Sequence, residues 1–204
     1  MLKALIKQDF PKNRYEIIVA NNCSTDNTYE IINYYMEKYP KIISFVEENN
    51  VQSSYAARNK AIIRSKGEVL AFTDADCTPA VNWLSQGCKK LIETKASIVA
   101  GKIKFTFKDS KPNIWEYFDA AGKLNQKYYA RNIGFGATAN LFVKKLMFDK
   151  YGLFLSKLQS GGDYEFGRRL FNYNETIHYA EDSVVFLPAR STFREKLSKS
   201  KRVA

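Results

Sequence analysis

With 204 residues, 45% of them hydrophobic and 14% aromatic, the chain is long and apolar enough to build a full core, which excludes a disordered tail. A formal net charge of +11, from 32 Lys and Arg against 21 Asp and Glu, admits nucleic acid, lipid headgroups or a polyanionic small substrate as partner. No apolar run is long enough to span a bilayer and no signal-peptide core opens the chain. Cys23, Cys77 and Cys88 form no zinc pattern and leave an odd thiol, so a reducing, cytoplasmic setting is expected, with contact at the cytoplasmic membrane face left open.

In chain order, Leu2 to Gln8 reads as the end of a helix, stopped by Pro11. Tyr15 to Ala20 is a buried strand. Asn21 to Asp26 is a polar loop, and Asp26 or Asn27 caps a helix that turns Ile31, Ile32, Tyr35 and Met36 inward and ends before Pro40. Ile42 to Val46 is a second strand, Ser53 to Arg64 a helix, Val69 to Thr73 a third strand, and Trp83, Leu84 and Leu91 mark the next helix. This alternation predicts an α/β fold, with a Rossmann-like, mainly parallel central sheet and helices on both faces. Residues 1–95 then form a nucleotide-binding half.

Beyond Lys95 the pattern changes. Ile98 to Gly101 and Ile103 to Phe107 read as strands, as do Ala137 to Val143 and Val184 to Leu187. Trp115, Phe118, Leu124, Tyr128 and Tyr129 suggest an aromatic helix, more simply a core helix than the wall of an acceptor groove. Gly161 to Phe171 reads as a loop leading into a helix. The closing run Lys196-Leu197-Ser198-Lys199-Ser200-Lys201-Arg202 reads first as a solvated tail and second as a membrane-surface contact. With no repeat or linker, 1–204 is expected to be one domain whose residues 96–204 supply the acceptor side and the basic tail.

The chemistry concentrates at Val69-Leu70-Ala71-Phe72-Thr73-Asp74-Ala75-Asp76, an apolar strand that ends in two carboxylates. If the backbone stays extended past Thr73, Asp74 and Asp76 point the same way and offer hard oxygens to Mg²⁺ or Mn²⁺. An Asp-rich turn is the plainer reading of that motif alone. Asp163, after two glycines and before Phe166 and Leu170, is by itself an ordinary helix cap.

Four blocks in order resemble family-2 glycosyltransferases of the glycosyltransferase A fold. They are Glu16-Ile17-Ile18-Val19-Ala20-Asn21-Asn22-Cys23-Ser24-Thr25-Asp26, Ala57-Arg58-Asn59-Lys60-Ala61, Phe72-Thr73-Asp74-Ala75-Asp76, and Ser160-Gly161-Gly162-Asp163-Tyr164-Glu165-Phe166-Gly167-Arg168-Arg169-Leu170. Trp83-Leu84 and Thr138-Ala139-Asn140-Leu141 are smaller echoes. The resemblance implies inverting transfer of a sugar from a nucleotide-sugar donor to a hydroxyl on a glycan or lipid-linked acceptor. It implies that Asp76 holds a divalent cation (Mg²⁺ or Mn²⁺) on the diphosphate, with Asp74 sharing the ion or touching the ribose. It also implies that Asn21, Asn22 and Asp26 sit against base and ribose, that Arg58 reaches the nucleotide, and that Asp163 is the base that deprotonates the acceptor.

Three departures stand against the family pattern. Amides occupy positions 21 and 22, where many relatives have an aspartate. No histidine stands near the last strand, since His178 lies earlier and reads as a surface residue. The family's first strand is not seen, so the domain reads as N-terminally truncated, with a gap or edge in its sheet and part of the base pocket missing. A non-catalytic fragment that needs that strand or a partner chain, such as a homodimer mate, is the alternative this raises. Nucleic acid is not expected as a partner, because no helix-turn-helix, RNA-recognition or zinc signature is present.

Overall fold

The structure, a computed structural model, describes residues 1–121 and 124–203, excepting the side chains at 200, 202 and 203. The nucleotide-type half runs α1 (Leu2–Ile6), a 3-10 turn (Lys12–Arg14), β1 (Ile17–Asn21), α2 (Thr28–Lys38), β2 (Ile43–Glu47), α3 (Ser54–Arg64), β3 (Val69–Thr73), β4 (Thr78–Pro79) and α4 (Trp83–Thr94). Then come β5 (Ile98–Thr106), α5 (Ile114–Ala121), α6 (Gln126–Tyr128) with a π-helical turn (Tyr129–Ile133), β6 (Asn140–Lys144), α7 (Leu146–Tyr151), α8 (Gly162–Asn172), β7 (Ile177–Pro188) and α9 (Phe193–Val203).

Parallel pairing, expected to dominate, holds for β1 with β2 and for β5 with β7. The pairs β3–β6, β5–β6 and β4–β7 are antiparallel, so the five-stranded sheet, in order β3-β6-β5-β7-β4, is mixed. β4 follows β3 closely in the chain yet pairs with β7, at the opposite end of the sheet order. β6 returns between β3 and β5, against both, a pairing that no local periodicity announces. β1 and β2 form a two-stranded sheet separate from the other five strands. β1 and β3 both feed one apolar cluster, through Ile17 and Val69, and each pairs with a single described strand.

The two strands read at 98–101 and 103–107 are one, β5. Its register against β7 jumps from Gly101–Ala180 to Lys102–Val184, so Glu181, Asp182 and Ser183 bulge out of β7. Asn140 stitches this irregularity to the core. Its Oδ1 accepts from Trp83 Nε1 at 2.8 Å, and its Nδ2 donates to the Lys102 and Ser183 carbonyls, both at 2.9 Å. Gly101 makes room for that amide, since a Cβ there would lie 2.4 Å from it.

The aromatic stretch departs from its expected role as a core helix. α5 buries Glu116 and Asp119 and exposes Ile114, Tyr117 and Phe118; Tyr128 is exposed as well, and positions 122 and 123 lie outside the described residues. Glu116 accepts from the Lys108 and Asn113 N–H groups at 3.0 and 2.8 Å. Asp119 accepts from the Arg190 N–H at 3.0 Å and from Lys196 Nζ at 2.7 Å. Those hydrogen bonds, not apolar spacing, decide which face turns inward. The basic run is likewise no free tail: it forms α9, held to α5 by Lys196 and Lys199 at Asp119, with the side chains at 200 and 202 outside the described residues.

Replacing Asn140 by Leu leaves the Trp83 N–H and two buried carbonyls without partners. Urea denaturation of Asn140→Leu should show a loss of about 3 kcal/mol, and a loss below about 1 kcal/mol would mean the amide is not the stitch described.

Candidate active site

β3 delivers its carboxylates differently from the extended geometry expected of it. The backbone turns after Thr73, and the Cys77 N–H donates to the Asp74 carbonyl at 3.0 Å. Asp74 is half-buried and Asp76 exposed, and both lie past the end of β3 in the turn, not on an extended strand. Arg58 reaches Asp74 from α3, with Nη2 2.6 Å from Oδ1. Beneath the turn, burial and then the charges of Asp74 and Asp76 push the Cys77 thiol up to about 12, leaving it protonated.

α3 starts cleanly because Ser53 accepts from the Tyr55 N–H at 3.2 Å and donates to the Leu158 carbonyl at 2.7 Å. Tyr55 and Arg58 stand three residues apart and so share a face. Arg58 carries its guanidinium 5.4 Å from the centre of the Tyr55 ring. The Tyr55 hydroxyl donates to Asp163 Oδ1 at 3.2 Å, so this one face touches both Asp74 and Asp163. Burial first, and the Asp163 charge second, push the Tyr55 phenol up to about 12, which keeps it a donor.

Asp163 lies in the first turn of α8 and not before it, since Gly161 takes φ +76° and Gly162 is already helical. Gly162 is required by packing, because a Cβ there would come within 2.8–2.9 Å of the Tyr55 ring. The second carboxylate oxygen accepts from the Thr138 N–H at 3.2 Å. That loop is itself clamped by buried Gln126, which accepts from the Ala137 N–H at 2.8 Å and donates to the Ala137 and Asn140 carbonyls. Beside Asp163, Phe135 stacks on Tyr129 at 4.6 Å and meets the Tyr164 ring edge-on at 5.2 Å.

The loop between β1 and α2 is organised by its amides. Asn21 is buried, donates to Glu47 Oε1 at 3.3 Å and accepts from the Ser24 N–H at 3.3 Å. Asn22 spends its Nδ2 on the Glu48 and Val51 carbonyls, at 2.9 and 3.0 Å. Asp26, not Asn27, caps α2, accepting from the Thr28 N–H at 3.0 Å. Hydrogen bonds from the Thr28 side chain and backbone hold its carboxyl below the usual range. No described hydrogen bond or ion pair joins Asn21, Asn22 or Asp26 to Arg58, Asp74, Asp76 or Asp163. α3 supplies the bridge instead, as Lys60 Nζ donates to the Glu47 carbonyl at 2.7 Å.

Among the described residues, no group of three or more His, Cys, Asp or Glu side chains converges as a metal cage. His178 is exposed in β7, opposite Val99. The donors that do fit a hard cation are the exposed Asp76 carboxylate and, beside it, Asp74. One or two carboxylates suffice where substrate phosphates complete the shell. Tyr55 was missed from sequence; its only signal was its place one helical turn before Arg58.

The profile of Glycosyl transferase family 2 matches residues 1–152. Glycosyltransferase AglE of Haloferax volcanii is 34% identical over 202 residues, which cover 99% of this chain and 66% of that protein. A mannosyltransferase, PcManGT from Pyrobaculum calidifontis, solved with GDP-Man and Mn²⁺, superposes over 98% of this chain and 55% of its own, with TM-score 0.77 and 19% identity. Staphylococcus aureus TarS 1-349, solved with UDP-GlcNAc, superposes over 94% and 54%, with TM-score 0.72 and 22% identity. The chain therefore spans between half and two thirds of these relatives. The two solved structures carry the glycosyltransferase A fold, and this chain shares it.

The Tyr55–Asp163 hydrogen bond makes a prediction of its own. Tyr55→Phe should cost about 1 kcal/mol in urea denaturation with an unchanged slope; a stability equal to wild type would show that the bond is not made.

Proposed function

The chain belongs to glycosyl transferase family 2, and from that premise we propose that it transfers a sugar, with inversion, from a nucleotide-sugar donor to an acceptor hydroxyl. One observation carries this reading: a single face of α3 holds Asp163 through Tyr55 and Asp74 through Arg58. A carboxylate for the acceptor and a carboxylate for the donor are thus tied to the same rigid element. The GDP-Man and Mn²⁺ in PcManGT and the UDP-GlcNAc in TarS support a nucleotide-sugar donor and a divalent cation.

Asp163 takes the proton of the acceptor hydroxyl as that oxygen bonds to the anomeric carbon, while the bond from that carbon to the diphosphate oxygen breaks on the opposite side. Tyr55 and the Thr138 N–H fix one carboxylate oxygen each, so the gain comes from position. Arg58 offers a fork that suits phosphate as well as carboxylate, which places it on the diphosphate. Asp76 and Asp74 would hold the Mg²⁺ or Mn²⁺, whose chemistry when bound is to neutralise charge on the leaving diphosphate.

Asn21 and Asn22 shape the nucleotide loop, because their amides are already engaged, and Asp26 presents the exposed carboxylate for the ribose. The stacked rings of Tyr129, Phe135 and Tyr164 give a glycan or lipid-linked acceptor an aromatic face beside Asp163. We place the reaction in the reducing cytoplasm, in keeping with three free thiols. A second reading, a chain that is non-catalytic until a further strand or a partner chain completes its sheet, is favoured by the edges of β1 and β3 that no described strand pairs.

Calorimetry with UDP and GDP in the presence of Mn²⁺ should show binding of one nucleotide, and Asp163→Asn should keep that binding while lowering turnover by about 10²–10⁴-fold. No heat with either nucleotide at millimolar concentration would end the proposal. Donor binding by the wild-type chain without any turnover would select the second reading.

A further inference from the structure

A surface helix ordinarily turns its apolar stripe to the core and its charges to water. α5 does the reverse. Glu116 and Asp119 are 2% and 1% exposed, whereas Ile114 and Phe118 are 74% and 60% exposed. These residues recur at spacings of three and four, so the two faces are opposed on one helix.

The outward apolar face does not stop at α5. Phe107 lies 6.0 Å from the Tyr117 ring, and Phe193, at the start of α9, lies 5.2 Å from Trp115. Lys196 lays its ammonium 4.8 Å over the Phe118 ring. α9 is thus fastened beside α5, and its exposed Phe193 and Leu197 extend the same patch. Contiguous exposed aromatic and aliphatic surface of this kind marks a contact site.

The charge around the patch selects the partner. Exposed Lys108 and Lys111 lie in the loop before α5, and exposed Arg194 and Lys201 lie on α9. Over the loop before α5, α5 and α9, Lys108, Lys111, Arg194, Lys196, Lys199, Lys201 and Arg202 stand against Asp109, Glu116, Asp119 and Glu195, seven positive groups to four negative. Three of those acids face inward or are engaged: Glu116 caps backbone N–H groups, Asp119 is ion-paired, and Glu195 accepts from the Ser191 and Thr192 N–H groups. Lys196 and Lys199 are spent on Asp119 in turn, so exposed Lys108, Lys111, Arg194 and Lys201 remain against exposed Asp109 and Glu195, an apolar face with a net positive charge. No helix of the described residues is long and apolar enough to cross a membrane.

We infer that α5 and α9 form a face that docks on an anionic membrane surface, with Ile114, Tyr117, Phe118 and Phe193 entering the headgroup region and Lys and Arg pairing with anionic lipid. Two helices side by side, with an apolar face and a net positive charge, match how amphipathic helices lie in an interface. The long Lys and Arg stems let their charges reach the headgroups while the rings sit deeper. This inference stands apart from the transfer chemistry: it uses none of Asp74, Asp76, Asp163, Tyr55 or Arg58.

Co-sedimentation of the full chain with vesicles tests it. The chain should pellet with phosphatidylcholine vesicles containing about 30% phosphatidylglycerol, stay in solution with phosphatidylcholine alone, and detach as salt is raised. Ile114→Ser with Phe118→Ser, and separately Arg194→Glu with Lys201→Glu, should each weaken partitioning at least about tenfold while circular dichroism stays that of wild type. All four positions are exposed, so folding should survive. Failure to bind anionic vesicles, equal binding to neutral ones, or binding that both double variants leave intact would overturn the inference. So would a concentration-dependent dimer in size-exclusion chromatography that Ile114→Ser with Phe118→Ser dissolves, since a second copy would then own the patch.

Discussion

One turn of helix joins the two carboxylates of the candidate site. Tyr55 and Arg58 leave the same face of α3, and each closes on a carboxylate from a distant part of the chain, Asp163 at 3.2 Å and Asp74 at 2.6 Å. The helix has little freedom to adjust. Ser53 pins its start to the Leu158 carbonyl, and Asn59 clamps Phe154 by donating to its carbonyl at 2.8 Å and accepting from its N–H at 3.1 Å. The Tyr55 ring packs 5.7 Å from that of Phe154, so its hydroxyl is aimed by the core and not by solvent. Separation of the two carboxylates is therefore inherited from aromatic packing, which yields far less readily than a loop.

The antiparallel entry of β6 is what makes this arrangement reachable. Thr73, the last residue of β3, stands opposite Asn140, the first of β6. Antiparallel register puts the end of one strand beside the start of the other, so Asp74 leaves the sheet at the edge where Thr138 arrives. Thr138 then offers its N–H to Asp163. A parallel β6 would have sent residue 138 to the opposite edge. Asn140 secures the strand that does this, with all of its amide hydrogen bonds inside the core. A buried polar node of this sort costs stability when half-satisfied and specifies one register when complete.

Elements whose signal is local were legible in the sequence. Ile17-Ile18-Val19 and Val69-Leu70-Ala71-Phe72 are strands by composition, and α2, α3 and α4 fall near where they were read, although Ile31, expected inward on α2, is exposed. The four blocks also led to Arg58, Asp74 and Asp163, which the fold gathers around α3. What escaped is set by partners far along the chain. Tyr55 looks like any core aromatic until Asp163 is placed against it. The turn after Thr73 depends on a single hydrogen bond back from Cys77. α5 reads as a core helix by its rings, because nothing local says that Glu116 will find two N–H groups or Asp119 an arginine and two lysines. Polar partnership overruled apolar spacing there, as burial of a carboxylate demands.

Charge balance links the fold to the proposed chemistry. Asp74 is half-buried and already compensated by Arg58, so the site without substrate carries no uncompensated charge at that point. A donor brings its own opposing pair, the anionic diphosphate and the divalent cation that accompanies it. On the proposed function, Arg58 would turn toward phosphate as Asp74 turns toward the cation, so that neither is left without an opposite charge. Arg58 leaving for phosphate without a cation would strand Asp74, and a cation at Asp74 without phosphate would strand Arg58. Coupling of this kind is reciprocal, so whatever the cation adds to diphosphate affinity the diphosphate must add to cation affinity. The exposed Asp76 needs no such exchange. On the proposed function its carboxylate holds the ion, and Asp74 makes that hold conditional on the donor being present.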